Sequence, residues 1–146
     1  MRTFLFSFLL FAATLPAQAA GGPREIPEGA IQEFQQFWDR FRPAAVAGRC
    51  EDVVAMTRFP FKTRGQVDSD PVLQHDREKF LRLCPSLLES DPGVPRTPQT
   101  MKAFMERRPT VTAKDFAGSA EKVWIGNFVF TKSGKEWKFS FAYTEE

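Results

Sequence analysis

Residues 121–144 read EKVWIGNFVFTKSGKEWKFSFAYT, and the architecture turns on how this stretch folds. Two runs, Glu121 to Thr131 and Glu136 to Thr144, flank Lys132-Ser133-Gly134-Lys135. Ser-Gly in a short connection between aromatic, β-branched runs marks a hairpin turn. With Ser133 and Gly134 as the loop residues, Phe130 faces Trp137, Phe128 faces Phe139, Gly126 faces Phe141 and Trp124 faces Tyr143. Period-two alternation puts these rings on one face of the hairpin, and Val123, Ile125, Val129, Lys138 and Ala142 on the other. An exposed aromatic face invites aggregation, so helices are expected to cover it.

Working back from the hairpin, the chain supplies such helices. From Ala30 the apolar positions are Ile31, Phe34, Phe37, Trp38, Phe41 and Ala45. These steps of three and four mark one face of an amphipathic helix. Pro27 suits its first residue, and Pro43 predicts an end or kink near Arg42. A short second helix over Cys50–Thr57 buries Val53, Val54 and Met56. Phe59-Pro60-Phe61 reads as a strand entered through Pro, at a strand start or sheet edge. Gln66 to Gln74 is a loop or a second short strand. Asp76 caps a helix with Phe80, Leu83, Cys84 and Leu87 on one face, ending or bending near Pro85. Ser90 to Pro98 is a surface loop, and Thr97-Pro98 opens a short helix carrying Met101, Phe104 and Met105 inward. Val111 to Phe116 reads as a further strand.

The N-terminus carries a different signal. Met1-Arg2 is basic, Phe4 to Ala13 is apolar, and Ala17-Gln18-Ala19 is a small-residue cleavage site. Together they predict a secretory signal over residues 1–19, a tether over 20–29 and one domain over 30–146. The apolar run falls short of the ~20 residues a spanning helix needs. The expected location is therefore the periplasm or the exterior, with no membrane attachment after leader removal.

The chain has 20 Lys and Arg against 18 Asp and Glu. Losing Arg2 with the leader leaves 19 against 18, a net charge of +1. The basic residues are scattered along the chain, which speaks against nucleic acid. Two cysteines, Cys50 and Cys84, favour a disulfide in an exported protein, with two buried thiols as the alternative. Two Cys and the single His75 lack a metal-site spacing, and no cofactor motif is present.

The order of elements resembles the NTF2-like (cystatin-like α+β) superfamily. The resemblance rests on the Phe34–Phe41 helix, the Phe59-Pro60-Phe61 strand entry, the helix start at Asp76-Arg77-Glu78, and the Gly126–Phe130 strand paired with Trp137-Lys138-Phe139. It implies an α+β cone, with N-terminal helices on a curved antiparallel sheet whose open end forms a pocket. It also implies a homodimer through the outer sheet face. In that superfamily the pocket serves isomerases and dehydratases, ligand carriers and modules without known chemistry, so fold does not settle function.

Three functions follow as expectations. The first is an exported binding or accessory module, not an enzyme, with Trp38, Trp124, Phe128, Trp137, Phe139 and Tyr143 lining an apolar cleft for a small ligand. The plainer reading of these rings is core. The second is an isomerase-like or dehydratase-like enzyme using the pocket. It needs an Asp, His or Tyr there, but Asp39 lies opposite the apolar stripe, His75 reads as a loop or cap residue, and Tyr143 sits near the chain end. No G-x-S-x-G elbow is present. The third is a protein-binding module of inhibitor or immunity type, using the outer sheet face or the loop from Ser90 to Pro98.

Overall fold

The computed structural model describes residues 25–93 and 99–145. The leader, the first half of the tether and the Thr97-Pro98 helix start lie outside the described residues. The first helix, α1 (Glu28–Val46), begins at Glu28, and Pro27, its expected first residue, is the extended N-cap before it. Glu28 in its first turn suits the positive end of the helix dipole. The helix also runs through Pro43, near which the sequence predicts an end or a kink. The turn beyond Pro43 is held because Ala44 and Ala45 are fully buried in it. A second helix, α2 (Cys50–Ala55), leads into a strand, β1 (Thr57–Arg64), and a short strand, β2 (Leu73–His75).

Asp76 caps the next helix, α3 (Arg77–Glu89), its Oδ1 accepting from the Lys79 amide at 2.8 Å. Pro85 does not end it, because Leu87 and Leu88 are buried in the turn that follows. Thr100 caps α4 (Met101–Glu106) by accepting from the Ala103 amide. The strand expected over Val111–Phe116 is instead a 3-10 turn over Ala113–Asp115. There Asp115 accepts from the Thr112 amide at 2.8 Å and pairs with Arg108, so the turn closes on its own polar groups. Only Phe116 makes a bridge, to Val123.

Three strands complete the chain: β3 (Lys122–Ile125), β4 (Phe128–Ser133) and β5 (Glu136–Tyr143). The five-stranded mixed sheet has the order β2-β1-β5-β4-β3. β1 runs parallel to β5, and the other neighbours are antiparallel. Thus β1 is interior, not an edge, although it contains Pro60. The ladder tolerates Pro60 because pairing to β5 is irregular between Thr57 and Lys62, and β2 pairs only Phe61 to Thr63.

The C-terminal hairpin is real, but its register differs from the expected one. Ser133 pairs with Glu136, so Gly134 and Lys135 are the loop residues, and Gly134 has φ +60°. Phe130 therefore faces Phe139, not Trp137. A shift between Val129 and Phe130 sets Val129 opposite Phe141 and Phe128 opposite Ala142. That bulge reverses the alternation of β5, sending Phe141 and Tyr143 outward and Ala142 inward. The run from Glu121 to Thr131 is also two strands, broken at Gly126-Asn127. Val123 and Ile125 therefore point into the core, while Trp124 points away from it.

α1 and α3 cover one face of the sheet. Phe130 sits at the centre of the packed rings, its centroid 4.9 Å from Phe41, 5.5 Å from Phe34 and 5.3 Å from Phe139. Phe80 on α3 reaches Phe61 at 4.7 Å. Such edge-to-face pairs stabilise beyond the area they bury. α1 is tied to the end of α4 by Trp38 Nε1 donating to the Arg108 carbonyl at 2.8 Å. Arg42 Nε donates to the Met105 carbonyl at the same distance.

A disulfide joins Cys50, at the start of α2, to Cys84 in α3, with Cα atoms 6.0 Å apart. Its 34-residue separation corresponds to about 4 kcal/mol of stabilisation in the chain-entropy account. Among the described residues no helix is long and apolar enough to cross a membrane.

Candidate functional site

The six aromatic residues expected to line one cleft divide between the two faces of the sheet. Trp38 and Phe128 are 0 % exposed, Phe139 is 1 % and Trp137 is 6 %. These four belong to the covered face. Phe139 lies 4.6 Å from Phe128, and Trp137 lies 4.8 Å from Phe34, centroid to centroid. The rings fill the space between helices and sheet with one another. Trp137 also borders a small cleft of about 250 Å³ beside α1, otherwise lined mainly by charged and polar groups such as Glu33, Gln36, Arg40 and Lys138.

Trp124 and Tyr143 lie on the other face, which no helix covers among the described residues. Trp124 is 44 % exposed. Its ring stacks on Tyr143 at 5.2 Å with 16° between the planes. The Arg64 guanidinium lies 5.4 Å from the Tyr143 centroid, on the side toward β1. Tyr143 is thus clasped between a cation and an indole. Phe141 meets Tyr143 edge-on at 4.9 Å.

The sheet register sets the neighbours on this face, because paired residues point the same way. One row runs Gln74, Lys62, Phe141, Val129, Trp124 across β2, β1, β5, β4 and β3. Above it Arg64 stands beside Tyr143. Below it Lys138, Thr131 and Lys122 form a third row. The four apolar groups of this face are therefore framed by Lys62, Arg64 and Lys122, whereas the Lys138 amine turns to the Ala55 carbonyl at 3.4 Å, beside the α1 cleft. Cations scattered along the chain are collected by the fold, and no acid stands in the three rows. Beyond them, Glu136 pairs with Lys138 at 3.8 Å, and Asp68 reaches Arg64 from the β1–β2 loop at 3.1 Å. The Asp68 side chain is itself fully exposed.

The candidates for acid–base chemistry are dispersed. Asp39 is exposed on α1 and accepts a hydrogen bond from Gln35. Tyr143 is part of the outer face. His75 is the last residue of β2, 2.8 Å from the Thr63 hydroxyl through Nε2. Burial lowers its pKa from 6.5, Lys79 lowers it further, and Asp76 opposes them. It borders an open hollow of about 550 Å³ with Phe59, Asp76, Arg77 and Lys79. Among the described residues no three His, Cys, Asp or Glu side chains gather where they could hold a metal ion.

Reading the residues in order names an outer sheet face but not these members, because they come from four separate strands. Lys62 and Arg64 join the face that holds Trp124 only through the parallel pairing of β1 with β5, for which the sequence has no local signal. Comparison with known proteins gives no match among protein-family models, curated proteins or solved structures.

Proposed function

We propose that this chain is an exported, non-catalytic binding module of the NTF2-like plan that takes a protein partner on its outer sheet face. The observation that carries this reading is the half-exposed Trp124, stacked on a Tyr143 that Arg64 also overlies, on a sheet face without a helical cover among the described residues. Trp, Tyr and Arg dominate the energetics of protein interfaces, because they join large apolar area to a polar rim. The opposite face leaves little room for a ligand, since its rings pack on one another. The Cys50–Cys84 bond agrees with export, as disulfides persist in oxidising compartments.

The test is site-specific photo-crosslinking in the cells that produce the protein. A photoreactive residue at position 124 is expected to form defined protein adducts. The same residue at exposed Asp39, on the helical side, is expected to form none. Equal adducts at both positions, or none at 124, would refute the reading.

A further inference from the structure

We infer that the partner of the outer face is an acidic polypeptide segment, an inference that rests on the outer-face reading above. Three observations carry it. The first is charge: Lys62, Arg64 and Lys122 surround Phe141, Val129, Tyr143 and Trp124, and the rows in which they stand contain no acid, the flanking Asp68 being paired with Arg64. A field of one sign steers and selects a partner of the other sign. It also opposes a second copy of this chain, since a two-fold axis would set these cations against themselves.

The second is the state of the rings. Trp124 stacks along one face of Tyr143, and the Arg64 guanidinium lies over the ring from the β1 side. Flat ligands such as nucleobases need open ring faces to stack on. Tyr143, flanked by the Trp124 indole and the Arg64 guanidinium, has none to offer. The third is the ligand that Arg64 already holds. Asp68, in the β1–β2 loop, places a carboxylate 3.1 Å from Nη2 of Arg64. An ion pair with so exposed an acid stabilises little. A partner's carboxylate can therefore replace it, and the planar guanidinium is suited to carboxylates.

The experiment measures binding of the mature chain to a labelled copolymer of glutamate and tyrosine. A lysine–tyrosine copolymer, oligothymidylate and phosphatidylglycerol vesicles serve as competing probes. The glutamate copolymer is expected to bind best, and to bind less as salt rises. The double variant K62E/K122E should weaken it about tenfold or more. K79E, a charge reversal on α3, should leave it unchanged, and D68N should tighten it. Circular dichroism and thermal unfolding establish that each variant is folded. The inference fails if the copolymer does not bind, if K62E/K122E behaves like K79E, or if oligothymidylate or the vesicles bind more tightly. It also fails if sedimentation shows a dimer that W124A dissociates. Adducts at position 124 with a neutral or basic protein would refute the acidic partner alone and leave the outer-face reading standing. Absence of adducts there would remove both.

Discussion

His75 shows how a single residue couples environment to stability. Burial is the main influence holding its pKa below 6.5, with Lys79 acting in the same direction and Asp76 against them. The folded state therefore takes up its proton at lower pH than the unfolded chain does. Its contribution is fully present above about pH 6.5 and is lost as pH falls from there through the lower, folded pKa. Replacing His75 with Gln should make the melting temperature less sensitive to pH across that window, as thermal unfolding at several pH values will show. Sequence reading leaves this residue in a loop or cap because nothing local places Thr63 beside it; the β1–β2 pairing does that. Trp124 and Tyr143 are a related case. The sequence makes them direct cross-strand partners, whereas the structure brings them together across the start of β4.

Among the elements, the amphipathic helix and the capped helix are legible because their signals are local. The α1 stripe is buried from Phe34 to Phe41, and Asp76 caps α3. Neither internal proline ends its helix, since burial of the following turns outweighs the lost hydrogen bond that propensity registers. The C-terminal hairpin is legible as an element but not in its register. Its bulge and the Gly126-Asn127 break are decided by packing. Gly126 has φ +58°, and a Cβ there would lie 2.7 Å from Met101 Sδ, so that turn is shaped by α4. Asn127 Nδ2 then donates to Ser90 Oγ and the Asp91 carbonyl, each at 3.0 Å, fixing the turn to the end of α3. Phe130 is the ring on which α1, β4 and β5 meet. Truncation of Phe130 to Ala should cost about 3–5 kcal/mol, measured by denaturant unfolding. A loss below about 1 kcal/mol would mean that the helix–sheet contact is not the core.

At the level of the whole molecule, helices close one sheet face and leave the other open. The aromatic residues divide accordingly. This division was hidden in the sequence because strict alternation assigns Trp124 and Phe128 to one face, whereas the turn between them sets the rings on opposite sides. Of the three tryptophans, Trp38 and Trp137 are packed inside and Trp124 stands on the open face. Iodide quenching of tryptophan fluorescence in the wild type and in W124F tests the division directly. The account predicts one accessible emitter in the wild type and none in W124F. Quenching that persists undiminished in W124F would place Trp38 or Trp137 in contact with solvent and contradict it.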